Sequence, residues 1–164
     1  MTKNETLDEI LKAYIRYYNI YKDDVEEPFK AKAVFASHNE QYFLIKAAKV
    51  ADIDSNEVVY FALVDNLTED DVNNLCAIAW DKGLANVNPV YGHRNSDVTL
   101  YIICDSISEN VDKLIKNIKF SKNYKFGFFG WSDFNLVTIE CSTNTTVFNR
   151  HGRSLKKLVG SIIN

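Results

Sequence analysis

Proline and glycine are scarce in this chain of 164 residues, with 2 and 6 respectively, so a flexible linker or a low-complexity tail is excluded. Cysteine is thin as well. Cys76, Cys104 and Cys141 form no C-x-x-C pair, which removes zinc ribbons and dithiol redox motifs. An odd cysteine count, and a polar start (Met1-Thr2-Lys3-Asn4-Glu5) without the apolar core of a secretory leader, predict reduced thiols and a cytoplasmic location. Long hydrophobic runs are missing too: the stretch 58–64 is seven residues, far short of a bilayer span, and no membrane partner is expected. The sequence holds no Walker A, G-x-G-x-x-G, G-x-S-x-G or H-E-x-x-H pattern, and its three histidines fall in no zinc-ligand spacing. The expectation is therefore a protein without cofactor or metal.

What is present is ordinary globular material: 46% hydrophobic, 13% aromatic and 25% charged residues, enough apolar matter for one sizeable core. Charge is unevenly spread. Residues 1–112 carry 10 Lys and Arg against 20 Asp and Glu, whereas residues 113–164 carry 9 against 2. Such a gradient means either an anionic partner for the basic end, or mutual attraction of the two ends within one chain or between copies.

Hydrophobic periodicity divides the chain into alternating helices and strands. A helix is predicted over 7–21, with Thr6 and Glu9 as a capping box and Leu7, Ile10, Leu11, Tyr14, Ile15 and Tyr18 as its apolar stripe. Strands follow over 29–35, 41–50 and 57–64, separated by polar turns at 37–40 and 51–56. Thr68 caps a second helix, with Glu69, Asp70 and Asp71 favourable to the helix dipole and Gly83 as its C-cap. A long connection over 85–97 leads to a strand at 98–104, and a helix starts at Ser108. Strands over 124–131, 134–141 and 145–148, with a tight turn at Ser132-Asp133, precede a last helix bearing Leu155, Leu158, Val159, Ile162 and Ile163. The order is α-βββ-α-β-α-βββ-α. It predicts a single α+β domain over 1–164, with a mixed or antiparallel sheet and helices mainly on one face. Residues 1–84 and 98–164 read as halves joined by 85–97, and the loosely similar helices at 6–12 and 109–116 hint at an internal α-βββ-α duplication.

Chemistry-bearing candidates are few. His38 beside Glu40 would suit a general base with an orienting carboxylate, although a turn collects such residues by default. His93-Arg94 in the long connection would hold an anion, with the same alternative of a solvated loop. Arg150, His151 and Arg153, with Lys156 and Lys157 a turn later, stand where the last helix would open. There backbone donors and guanidinium groups would converge on an anion or a nucleic acid, with Trp131 and the other aromatics of 124–131 as stacking surfaces. The bland counterpart is the solvated face of an amphipathic helix. Leu100-Tyr101-Ile102-Ile103 and Lys125-Phe126-Gly127-Phe128-Phe129 resemble the two aromatic motifs of RNA-recognition (RRM) domains, but the helix at 109–119 leaves no room for the strand that must separate them.

Three further segments stand together: His38-Asn39-Glu40-Gln41-Tyr42-Phe43-Leu44 with Ala48-Lys49, Lys125-Phe126 through Gly130-Trp131-Ser132-Asp133-Phe134, and Asn149-Arg150-His151-Gly152-Arg153. The set resembles an uncharacterised family of small proteins from anaerobic Gram-positive bacteria, a domain of unknown function. That resemblance implies a bacterial cytoplasmic protein and carries no activity, cofactor or catalytic residue with it. The reading that follows is a non-enzymatic binding or protein-interaction domain whose partner is a second copy, as in a homodimer, or another protein. The alternatives are an anion or nucleic-acid binder through the basic C-terminal segment, and an enzyme with an unrecognised site built on His38/Glu40 or His93/Arg94.

Overall fold

The structure, a computed structural model, describes residues 1–35, 54–87 and 93–164; the side chains of 54–56, 93 and 94 are left aside. The expected turn at 37–40 and strand at 41–50 lie outside the described residues, as do His38 and Glu40.

Helix α1 spans Lys3–Tyr14, one turn earlier than its apolar stripe predicts. Thr2, and not Thr6, is the cap. Its Oγ1 accepts from the Glu5 amide (3.2 Å) and the Glu5 carboxylate accepts from the Thr2 amide (2.8 Å). The sequence contains two consecutive T-x-x-E boxes, and the chain takes the first because Thr6 is buried. The residues expected to extend this helix leave it: Tyr18–Tyr21 form strand β1, antiparallel to β2 (Ala31–Phe35). Strand β3 runs Asp54–Leu67, starting inside the expected turn at 51–56. Helix α2 (Glu69–Ala85) has the expected Thr68 cap, closed into a box by Asp71. Gly83 is not its C-cap. It lies within the helix and is buried, and a Cβ there would meet Val98 Cγ2 at 2.4 Å, so glycine lets α2 sit directly on the sheet.

Strand β4 covers His93–Ile107, so residues 93–97 of the expected connection are strand. Helix α3 (Val111–Asn117) begins after Asn110, a left-handed residue, and not at Ser108. A short β5 (Ser121–Asn123) precedes a loop in place of the strand expected over 124–131. Strand β6 (Trp131–Glu140) then runs straight through Ser132-Asp133, where a turn was expected, and β7 (Thr145–Phe148) is where periodicity places it. A 3₁₀ turn over Gly152–Leu155 leads into helix α4 (Lys156–Ile163).

These strands form one seven-stranded mixed sheet, in the order β1-β2-β3-β4-β6-β5, with β7 also on β6. Its centre is parallel: β3 pairs with β4, and β4 with β6. Parallel strands need crossovers, and α2 and α3 supply them. Both advance in one direction across the sheet, so the common hand of such connections puts both helices on one face. The helices are therefore not mainly on one face; α1 and α4 cover the other. Tyr60, Ala62, Leu100, Ile102, Phe134 and Leu136 pack toward α2 and α3. Val59, Phe61, Tyr101, Ile103, Val137 and Ile139 pack toward α1 and α4. Burial on both faces is why these strands read as unbroken apolar runs.

No single strand lines the outer edge of β6. β5 covers Trp131 to Asp133 and β7 covers Val137 to Glu140. Between them the Phe120 carbonyl takes the Phe134 amide, and the rest of the gap is filled by one residue, the fully buried Asn149, whose own amide donates to the Leu136 carbonyl (3.1 Å). Its Oδ1 accepts from the amides of Leu136 (2.9 Å) and Gly152 (2.7 Å), and its Nδ2 donates to the carbonyls of Phe134 (2.8 Å) and Ile118 (3.1 Å). Gly152 must approach closely for this: a Cβ there would lie 2.3 Å from the Leu136 carbonyl oxygen. Replacing Asn149 by Ala orphans buried donors and acceptors at once, so a loss of about 3 kcal/mol or more is expected in urea unfolding, and Gly152→Ala should cost about 2 kcal/mol or more. Asn123→Ala, on the exposed β5, should stay within about 0.5 kcal/mol.

Candidate functional site

Side chains alternate along a strand, so odd-numbered residues of β3, β4 and β6 share the face covered by α1 and α4. Toward the starts of these strands that face turns from apolar to polar. Glu57 pairs in register with Asp97, and the register on either side (Asn95 with Trp131, Val98 with Phe134) sets Asp97 level with Asp133. Three carboxyl groups thus form a row across three adjacent parallel strands. The next row inward holds Thr99 and Asn135, and the one beyond it Phe61, Tyr101 and Val137.

Hydrogen bonds stitch the rows together. Glu57 accepts from Thr99 Oγ1 (2.6 Å) on one oxygen and from the Tyr18 hydroxyl on the other, and Asn135 Nδ2 donates to Thr99 Oγ1 (3.0 Å). The Tyr14 and Tyr101 hydroxyls bond to each other at 3.0 Å. His151 brings Nε2 within 3.7 Å of Asp133 Oδ1. Asp97 Oδ1 is buried with no hydrogen-bond partner among the described residues. Burial pushes the Glu57 carboxyl above its ordinary value, partly opposed by the Thr99 and Tyr18 hydroxyls, with the Asp97 charge adding to the rise. Burial also raises Asp97, with the Asp133 charge acting in the same direction. Burial at Glu57 and Asp97 thus shifts the balance toward the protonated carboxyl; among the described residues no set of His, Cys, Asp and Glu has the geometry to hold a metal. Nor is there a ready thiolate at Cys76 or Cys104, whose thiols burial pushes up to about 12.

The second feature is the loop over residues 124–131. Tyr124, its buried root, bonds its hydroxyl to Ser132 Oγ (3.0 Å). The backbone closes on itself through Tyr124 N to Gly130 O (2.9 Å), Gly127 N to Tyr124 O (3.0 Å), Phe128 N to Lys125 O (3.0 Å), Phe129 N to Tyr124 O (3.1 Å) and Gly130 N to Gly127 O (3.2 Å). Four residues have positive φ: Gly127 and Gly130 without cost, Lys125 (49°) and Phe126 (56°) with strain. On this braced loop Phe126 is fully exposed and Phe128 is 82% exposed, with Trp131 at its base half in water.

The residues singled out by sequence are distributed as follows. His38 and Glu40 lie outside the described residues; His93 and Arg94 start β4, and their side chains are not described. Arg150, Arg153, Lys156 and Lys157 are exposed, and of the backbone donors expected to converge at 149–153 the Asn149 and Gly152 amides are already engaged within the fold. The Gly152 amide is taken by Asn149 Oδ1 and the Ser154 amide by the His151 carbonyl, because this stretch closes the edge of β6 before the helix begins. His151 faces the carboxyl row and not the basic cluster. Trp131 stands one row outward from Asp133. The RRM likeness fails as well, since Tyr101 is buried in the core and Lys125–Gly127 is a 3₁₀ turn. Sequence reasoning missed the carboxyl row because only strand register aligns Glu57, Asp97 and Asp133; Gly127 and Gly130 were the available signal for the loop.

A carboxyl group whose value is raised on folding binds its proton more tightly in the folded chain, so stability falls as pH rises from the ordinary glutamate range toward neutrality. Glu57→Gln removes one such group while keeping its size. Urea midpoints measured between about pH 4 and 7 should show a shallower decline in the variant, with Asp97 supplying the slope that remains.

Searches of curated proteins and of solved structures find no match to this chain. A family model does match, over residues 2–160, and so covers every element from α1 into α4. The chain belongs to the family described as a domain of unknown function (DUF8052).

Proposed function

We propose that this chain is a non-enzymatic protein-interaction domain that docks through the aromatic loop over residues 124–131. One observation carries the reading: Phe126 and Phe128 stand in water on a loop closed by its own hydrogen bonds and partly strained to hold its shape. Exposing rings this way does nothing for the fold. In an interface it supplies rigid apolar anchors whose ordering cost is already met, the character of hot-spot residues. The carboxyl row is mostly internal to the fold: Glu57 is held by the Tyr18 and Thr99 hydroxyls, and the Asp133 and His151 side chains are only partly exposed. A reducing cytoplasm is part of the reading, since Cys76, Cys104 and Cys141 are all free thiols.

The test is a photoreactive phenylalanine analogue placed at position 126 or 128 of the full chain in the cells that naturally make it, with exposed Asn73 on α2 as the control position. Light should produce protease-sensitive adducts from 126 and 128 and none from 73. Adducts sensitive only to nuclease would transfer the loop to the nucleic-acid reading, and the absence of any adduct would remove its docking role.

A further inference from the structure

The docking role of the loop leaves its partner unnamed, and the opposite edge of the sheet supplies one. Among the described residues β1 is the edge strand at one end and β5 at the other. Beside β5, residues 112–133 contain five lysines (113, 116, 119, 122 and 125) against two carboxylates, Asp112, which pairs with Lys116 at 3.0 Å, and Asp133, and from this stretch Phe126 and Phe128 project. Around β1 the pattern is reversed. Ile15 (69% exposed), Tyr17 and Tyr21 are exposed, with the Arg16 guanidinium over the Tyr17 ring (5.3 Å) and the Lys32 ammonium over the Tyr21 ring (5.7 Å), and residues 15–27 hold four carboxylates against two cations. Lys22 is engaged with Asp8 at 2.8 Å and Glu26 with Lys32 at 3.0 Å, so the acidic excess rests on Asp23, Asp24 and Glu27, all exposed.

Each edge therefore joins exposed apolar side chains to an excess of one charge, and the charges are opposite. The patches are separated by the width of the sheet, five strand spacings or about 24 Å, so they do not meet within one chain. They meet between copies. A two-fold contact of like patches would set lysines against lysines or carboxylates against carboxylates, which costs affinity and specificity. A contact between unlike patches leaves one of each free, so it repeats.

Resting on the docking role of the loop, we propose that copies of this chain associate head to tail, with the lysine-flanked Phe126 and Phe128 of one copy seated on the acidic β1 edge (Ile15, Tyr17, Tyr21, Asp23 and Asp24) of the next. Short β1 and β5 strands limit main-chain pairing across the joint, so side chains and charge carry it. The assembly is an open chain or a closed ring and not a two-fold dimer.

Sedimentation velocity of the purified full chain, from about 1 to about 200 μM, should show average mass rising past that of a dimer, with at least a tenfold weakening on raising salt from about 0.05 to about 0.5 M. Two variants then separate the faces: Phe126→Ser with Phe128→Ser, and Asp23→Lys with Asp24→Lys. All four positions are exposed, so unfolding midpoints should match the native chain. Each variant alone should be monomeric where the native chain associates. An equal mixture should form a heterodimer that grows no further, because each variant retains one live face. A mixture that stays monomeric, or native association that stops at a dimer, overturns the head-to-tail contact. A native chain that is monomeric throughout overturns it too, and the docking role of the loop still stands if the photoadducts then contain other proteins. Monomers and no photoadducts together remove both.

Discussion

The backbone donors and acceptors along the outer edge of β6 have to be satisfied although no one strand lines that edge, and the C-terminal third of the molecule is arranged around that requirement. β5 serves the first residues and β7 the last, while the Phe120 carbonyl takes the Phe134 amide (3.1 Å). The remaining positions go to Asn149, whose amide side chain imitates a strand by accepting and donating along one edge. Once Asn149 is fixed, Gly152 has to lie against Leu136, and the 3₁₀ turn that follows sets the direction of α4 across the face it shares with α1. The placement of His151 beside Asp133 is a by-product of the same closure.

The parallel centre of the sheet accounts for the polar rows as well. β3, β4 and β6 are covered by helices on both sides in their middles, where apolar residues dominate. The Glu57, Asp97 and Asp133 row sits where that cover thins. Its carboxyl groups are desolvated enough to be raised, yet supplied with hydroxyl donors from Tyr18 and Thr99. This is a boundary between core and water, maintained by hydrogen bonds and not by ion pairs with lysine or arginine.

Much of this was legible in local pattern. The Thr68 cap, the apolar stripe of α2, the central runs of β3 and β4, and β7 all follow from spacing alone, because each depends on residues within one turn or one strand. The misreadings share a different cause. Choosing Thr2 over Thr6 as a cap depends on which threonine is buried against the sheet, and reading Gly83 as helix interior depends on Val98 across the interface. The carboxyl row exists only through register between strands up to 76 positions apart in the chain, from Glu57 to Asp133. The loop over 124–131 was taken for a strand because aromatic density favours one, whereas its two glycines and two strained residues turn the backbone back on itself. Basic residues at 150–157 were rightly read as exposed, but the amides meant to assist them had been committed to the edge of β6.

One consequence of the braced loop concerns how such a surface can change. Its shape is maintained by main-chain bonds, by Tyr124 against Ser132 and by glycines at 127 and 130, none of which involves the rings at its tip. Substitutions at the exposed 126 and 128 therefore change the surface of the tip while the hydrogen bonds beneath are spared, with residues that tolerate a positive φ favoured at 126.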